Sequence, residues 1–390
     1  MKKVISTENS ARRIPIKMWL DDIEDGAFAQ ASNLASLPFA YKHIALMPDS
    51  HQGYGMPIGS ILATKGVVVP NAVGVDIGCG MCALRTELTD LDKPTLKKIL
   101  GEARKLIPVG MAWHDEAQDE ALMPAGHEDL AVVNRGYTRA LKQIGSLGGG
   151  NHFVEIQKGS DGHIWVMIHS GSRNLGYGVA KWYNQAAIRL NERYFSAVTK
   201  KMELAFLPIE TPEAKNYIKE MDYCIEFALA NRKLMMTRMV EAMTTIIGAF
   251  EHGEIINKAH NFATWENHFG ENVMVHRKGA TRAFENELGM IPGSQGTKSY
   301  IVRGKGNPES FKSCSHGAGR RMGRKQAIRE LDLEAEIAIL ESKGVVHGVR
   351  HAGDLDEAVS AYKCIDEVMA NQPDLVDIEV ELSPLAVLKG

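Results

Sequence analysis

The feature that most restricts the fold is the grouping of helix-like and strand-like stretches. From Gly178 to about Phe250, apolar residues recur at helical spacing in VAKWYNQAAIRLNERYF and AKNYIKEMDYCIEFALANRKLMMTRMVEAMTTIIGAF. Elsewhere, alternating or β-branched runs such as GSILATKGVVV, IWVMIHSG, VMVHRKGATRA, KSYIVRG and VDIEVELSPLAVL read as strands joined by Gly-rich connections. A second helical segment runs from about Arg324 to Ser342. A doubly wound parallel sheet needs strict βαβ alternation; grouped elements favour an α+β class. With no repeat, low-complexity tract or Pro/Ser-rich linker, the chain reads as one continuous domain over 1–390, with 178–250 a helical insertion between two sheet-rich halves.

A net charge of −3 excludes a globally basic nucleic-acid binder, so any such contact comes from a local patch. MKKVISTENSARRIPIKMWLDD lacks a continuous apolar core, and no later stretch reaches the ~18 apolar residues of a membrane span, so a cytoplasmic protein is expected. Five scattered cysteines, an odd number, argue against a disulfide framework. Fourteen histidines are the more unusual inventory, several in Gly- and Ser-rich contexts unsuited to a core side chain.

Six stretches carry polar chemistry. In VGVDIGCGMC, Asp76 and Cys79 lie three apart in a Gly-rich turn expected to follow an apolar strand. A carboxylate beside a thiolate makes a mixed hard/soft site for manganese, zinc or iron, although a turn-capping Asp and a small core Cys explain the pair equally well. Cys79 and Cys82 form a single CxxC with neither the second pair of a zinc knuckle nor the βαβ context of a redox motif. SLGGGNHFVEI offers backbone amides to a phosphate, then His152 at a strand start with Glu155 nearby. VMIHSGSRNLG ends a strand at His169 and carries Arg173; KAHNFA presents His260 after the long helices. Each histidine alone reads as structural, but three at element ends beside Gly, Ser or Asn point to one shared site. IPGSQGTKSYIV lacks the P-loop spacing, yet its glycines, Ser294 and Ser299 suit a nucleotide pocket. In SCSHGAGRRMGRK, a solvated basic helix start explains Arg320, Arg321 and Arg324 but not His316. Asp49 in MPDSHQGYG is an acid/base candidate, and Lys389 near the end of the chain has no local claim to a role.

Taken in order, from MPDSHQGYG to the final LKG, these motifs strongly resemble the RtcB family of RNA ligases. The resemblance implies an α+β architecture of packed β-sheets flanked by helices, with the site in a cleft at their ends. It implies GTP and two manganese ions as cofactors, and as partners RNAs bearing a 2′,3′-cyclic or 3′-phosphate and a 5′-hydroxyl. It leaves open an activating partner protein. Carried over by residue, Asp76, Cys79, His152, His169 and His260 become the metal ligands, with Cys79 bridging both ions. His316 becomes the guanylylated nucleophile, and Asp49 lies in a motif placed at the active site. Nucleotide contacts fall on Asn151, His152, Phe153, Glu155, Asn261, Pro292, Gly293, Ser294, Gln295 and Ser299, and on His316, Gly317, Ala318 and Gly319. Tyr362 and Lys389 match guanine-pocket positions.

The implied chemistry accounts for the unexplained imidazole, since neutral His316 attacks the α-phosphorus of GTP and forms a labile phosphoramidate. Arg173, Arg320, Arg321 and Arg324 are candidates for RNA phosphates, because guanidinium forks suit phosphate oxygens. Gly323, where serine is expected, and Val359, where proline is common, depart from the pattern without touching a proposed ligand; they bear on which RNA ends are preferred. Two rival readings are a metal-dependent phosphoesterase that opens cyclic phosphates without ligation, and a non-catalytic RNA-binding module.

Overall fold

A computed structural model describes residues 1–8 and 11–390. Two antiparallel-rich sheets organise it. The first, six-stranded, runs in the order Lys3–Ile5, Ile16–Met18, Ala40–His51, Ile58–Thr64, Glu271–Lys278, Asn261–His268. The second, seven-stranded, runs Ile256–Ala259, Gly80–Arg85, Ile164–Ser170, Phe153–Gly159, Val376–Lys389, Ser299–Gly304, Leu288–Ile291. Among the described residues, the strand pairings are antiparallel apart from Ile16–Met18 beside Ala40–His51. The expected α+β class is what forms.

Side-chain alternation gives the second sheet two apolar faces. Cys82, Leu84, Val154, Ile156, Val166 and Ile168 face one way, against Met235, Met236, Met239 and Met243 of the long helix Pro212–Ile247. Met81, Ala83, Phe153, Trp165 and Met167 face the other, in one apolar cluster with Met290, Ile301, Leu382 and Val387 from the remaining strands of the same sheet. Each side chain buried this way contributes about 1.5–3 kcal/mol. Flexible methionines suit a helix crossing an irregular sheet face.

The helix Pro212–Ile247 starts cleanly because Thr211 accepts from the Ala214 amide and Pro212 has no amide to leave unpaired. It stops at Gly248, whose φ of 84° is left-handed. Its partner, Arg173–Arg193, begins five residues before the expected boundary at Gly178, and between the two helices the chain forms only a 3₁₀ turn, Lys200–Met202, and a short strand, Leu207–Pro208. The segment expected as one helix from Arg324 is two, Arg324–Glu330 and Leu333–Ser342, because Asp332 caps a new start by accepting from the Ala335 amide. One expectation is corrected outright: the turn bearing Asp76 follows a short helix, Pro70–Val73, not a strand, since Pro70 favours a first helical turn over a continuing ladder. Among the described residues, no helix is long and apolar enough to cross a membrane.

Candidate active site

Topology brings four side chains to one edge. His260 follows the strand Ile256–Ala259, Cys79 precedes Gly80–Arg85, His169 ends Ile164–Ser170, and His152 precedes Phe153–Gly159. These strands are consecutive neighbours in the sheet, with Ala259 opposite Gly80, Met81 opposite His169, and His169 opposite Phe153. Antiparallel registers thus place four sequence-distant residues at the same strand ends. Cys79 Sγ lies 3.2 Å from His169 Nε2 and 3.4 Å from His152 Nε2, and His152 Nε2 is 3.2 Å from Asp76 Oδ2. The His260 ring stands beside them, its centre 5.1 Å from that of His169, but the donor atoms that converge are those of Cys79, His152 and His169.

The protonation pattern fits a cation. His152 Nδ1 donates to the Leu147 carbonyl at 3.0 Å and His169 Nδ1 to the Asn151 carbonyl at 3.1 Å, so both Nε2 lone pairs face the cluster. Burial, then the charge of neighbouring imidazoles, keeps the pKa of His169 and of His260 well below the ordinary value, leaving both neutral. His260 Nδ1 is buried without a hydrogen-bond partner. Burial and the Asp76 carboxylate push the Cys79 thiol far up, with Arg232 opposing; such a thiol ionises only beside compensating positive charge. A carboxylate, a thiolate and imidazoles together are the donor set of a borderline divalent ion. A Cβ at Gly171 would strike the Asp76 carboxylate, so only glycine leaves that ligand its place. Cys82 takes no part: it points into the core under the sheet, its thiol pushed up to about 12 by burial.

His316 stands beside this cluster, its ring 4.8 Å from that of His260. Asp49, fully buried on the strand Ala40–His51, accepts three hydrogen bonds on Oδ2: from His316 Nδ1 at 2.6 Å, the His316 amide at 3.0 Å and the Gly317 amide at 3.3 Å. Burial presses this carboxyl toward its neutral form, yet the charge and hydrogen bonds of His316 outweigh it and hold the pKa below the usual range. With the proton on Nδ1, Nε2 carries a free lone pair. Gly319, at φ 74°, lets the loop double back onto the Asp49 carbonyl, which a side chain would strike.

A polar pocket adjoins. Lys389 pairs in register with Phe153, so the strand Val376–Lys389 delivers its ammonium to the site, 3.3 Å from the Gly150 carbonyl and 3.8 Å from Glu357. Tyr362 donates to Glu357 and lies under Arg320, 5.1 Å from ring centre to guanidinium. Glu155, raised to about 8 by burial, accepts from Gln157, which also donates to Ser299 at 3.1 Å. Ser299 accepts from the Gly293 amide, Gln295 donates to the Glu357 carbonyl, and the Ser294 amide is held by Thr297. Ala318 is buried, and a Cβ on Gly317 would abut Pro292. Asn261 ties the site together, donating to the Asp76 carbonyl at 3.0 Å and accepting from Gly279 at 2.7 Å.

Of the four arginines considered for phosphate, three are occupied within the chain. Arg173 holds Ser146, Gly110 and Ala112; Arg320 holds Met322, Asp356 and Glu357; Arg324 pairs with Glu357 at 2.8 Å. Arg321 is exposed.

Three residues here escape sequence reasoning. Glu357, 3% exposed, gathers Arg320, Arg324, Tyr362 and Lys389. Arg232 lies fully buried under the cluster, donating to Gly78 and Ser170 carbonyls at 2.8 Å each and to Asn257. Asn231 beside it accepts from Gly145 and donates to the Gly171 carbonyl. The signal was available for the last two: helical spacing puts Asn231 and Arg232 on the same buried stripe as Cys224, Phe227 and Met235.

An α+β scaffold that presents a mixed oxygen, nitrogen and sulfur donor cluster next to a carboxylate-held imidazole is equipped for metal-assisted group transfer. The family model described as tRNA-splicing ligase RtcB matches residues 30–128 and 114–390, and the chain belongs to the RtcB family. It is 38% identical to the RNA-splicing ligase RtcB of Escherichia coli (strain K12), over 100% of this chain and 99% of that one. To the tRNA-splicing ligase RtcB of Thermococcus kodakarensis it is 31% identical, over 97% and 95% of the two chains. To that of Archaeoglobus fulgidus it is 33% identical, over 94% and 92%.

Proposed function

We propose that this chain is a GTP- and manganese-dependent RNA ligase joining 2′,3′-cyclic phosphate or 3′-phosphate ends to 5′-hydroxyl ends, in RNA repair or tRNA splicing, as a cytoplasmic enzyme. Family membership supports RNA ligation. The observation that carries the mechanism is the 2.6 Å bond from His316 Nδ1 to Asp49, which leaves Nε2 as the nucleophile. Asp76, Cys79, His152, His169 and His260 would hold two manganese ions, which when bound neutralise the triphosphate and polarise the attacked phosphorus. His316 Nε2 attacks the α-phosphorus, the bond to the departing pyrophosphate breaks, and a P–N bond forms; Asp49 stabilises the positive charge that develops on the ring. An oxygen of the RNA 3′-phosphate then displaces the imidazole, producing a 3′ end linked through a diphosphate to guanosine. The 5′-hydroxyl attacks the RNA phosphorus, GMP leaves, and the strand is sealed. A cyclic end is first opened by water. Glu155, Ser299, Tyr362 and Lys389 receive the base, and the Asn151–Phe153 and Pro292–Gln295 turns, Asn261 and the Gly317–Gly319 loop flank the phosphates and ribose.

The test is incubation with α-labelled GTP and Mn²⁺. The expected product is an acid-labile protein adduct, absent in His316→Ala and discharged by RNA bearing a 3′-phosphate. Metal-dependent opening of cyclic phosphate with no adduct would instead establish a phosphoesterase.

A further inference from the structure

A cavity of about 460 Å³ opens between the helix Arg173–Arg193 and the loop that follows it, and no residue of the site described above lines it. Asn184, Ile188, Asn191 and Glu192 recur at helical spacing, so they line it from one face of that helix. Asn191 is a fixed wall, its amide donating to the Phe206 carbonyl at 2.7 Å and accepting from the Phe206 amide at 3.1 Å. Asn184 is not fixed: its Oδ1 is buried with no hydrogen-bond partner, and an unpaired buried acceptor costs about 1–3 kcal/mol. Across from the helix, Phe195 carries a ring 94% exposed on a backbone at φ 51°, a conformation that costs an L side chain about 1–2 kcal/mol. Neither packing nor backbone preference explains a large apolar residue there. The charges on the walls are already engaged: Glu192 pairs with Lys200 at 2.7 Å, and the Glu203 carboxylate accepts from the Gly55 amide at 3.0 Å. The cavity therefore offers no free cation to a phosphate. It offers neutral amide groups to a hydrogen-bonding edge, and a ring with aliphatic neighbours to a flat face, which is the complement of a nucleobase.

Hydrogen bonds tie the cavity to the reacting centre. Asn71, on its wall, donates from Nδ2 to the Glu203 carbonyl at 2.8 Å, and its own carbonyl accepts from Lys278 Nζ at 3.1 Å. The same ammonium donates to the Tyr54 carbonyl at 2.6 Å, in the stretch that carries Asp49. Lys278 adjoins Gly279, where a Cβ would stand 2.9 Å from His316 Cε1. One lysine side chain and one residue thus separate the cavity wall from His316, a span that a few nucleotides cover at ~3.4 Å each when stacked.

We propose that this cavity is a nucleobase-binding site, in which Asn184 accepts from an N–H on the edge of the base and Phe195 closes over its face. The base comes from the RNA substrate or from a free nucleoside; the first source rests on the ligase reading above, the chemistry of the cavity does not. The test irradiates the full chain with 4-thiouridine, either free or placed singly at each of the first few positions from either end of an RNA, and maps the adducts by mass spectrometry. Adducts are expected on the tryptic peptides WYNQAAIR and YFSAVTK, which carry Asn184 and Phe195. Asn184→Leu and Phe195→Ala are each expected to cut their yield about fivefold or more. Phe195→Ala removes exposed surface alone, and an unchanged Tm confirms for both variants that the fold is kept. Adducts from an RNA at one position assign the cavity to a substrate base, and adducts from the free nucleoside alone assign it to a soluble one. No adduct on either peptide with any probe, or yields unchanged in both variants, overturns the site. Guanylate labelling of the unmodified chain, which needs no RNA, separates the failures: no label sinks the ligase reading and leaves a free-nucleoside site standing, whereas label without adducts in the cavity sinks only the site.

Discussion

Replacing Asp49 by Asn keeps the shape of the side chain and removes its charge. Oδ2 presently accepts from His316 Nδ1 and from two amides, with none of its surface exposed. When Nε2 bonds to phosphorus, the ring gains a positive charge whose centre lies ~4 Å from the carboxylate; at an effective dielectric near 20 that attraction is about 4 kcal/mol. A neutral acceptor keeps the hydrogen bonds at roughly half their charge-assisted strength, so about 3 kcal/mol of transition-state stabilisation disappears, or ~10²-fold in rate. The assay is single-turnover labelling by α-labelled GTP at saturating nucleotide and Mn²⁺, with Mn²⁺ affinity measured separately. Asp49→Asn should slow labelling about 100-fold and leave Mn²⁺ affinity within about twofold, because the Asp49 carboxylate bonds to His316 and Gly317, neither of which is a proposed metal ligand. Labelling at the unmodified rate would refute the assignment of the developing charge to this pair.

Mn²⁺ at ~100 times its dissociation constant should stabilise the fold by about 2.7 kcal/mol, read as a rise in Tm that chelation reverses and Cys79→Ala abolishes. Glu155 has a folded pKa of about 8, above its unfolded value near 4.3. The folded state therefore binds the extra proton, and stability falls as pH rises from about 4 to about 8. Glu155→Gln should remove that slope in pH-dependent Tm curves, gaining on the order of 2–4 kcal/mol at pH 8 while weakening GTP binding. Glu357→Gln strips the shared counter-charge from Arg320, Arg324 and Lys389; chemical denaturation should report a loss of about 3 kcal/mol, with KM for GTP raised more than kcat is lowered.

The blocks of periodicity made the class legible, because sheet strands and helices bury apolar faces with different spacing. The polar motifs stood out for a related reason: His152, His169, His260 and His316 are flanked by Gly, Ser or Asn at strand ends, where no packing demand explains them. What local sequence could not supply was neighbourhood. Cys79 and His260 meet only because their strands pair, and Lys389, a solvated lysine by any local rule, reaches the site through its register with Phe153. Glu357 sits in a polar stretch, DLDEAVSAYK, where nothing local distinguishes it from a solvated acid. The arginines were misleading in the opposite sense: the composition of GRRMGR suggests free cations, while Arg320 and Arg324 are committed to that buried carboxylate.

One diffraction experiment bears most directly on the nucleophile. Crystals soaked with GTP and Mn²⁺, with data collected at the manganese edge, should show continuous density from His316 Nε2 to a single phosphorus and two anomalous peaks sharing Cys79 Sγ. Guanylate attached to any other side chain, or manganese bound away from Cys79, would contradict the account.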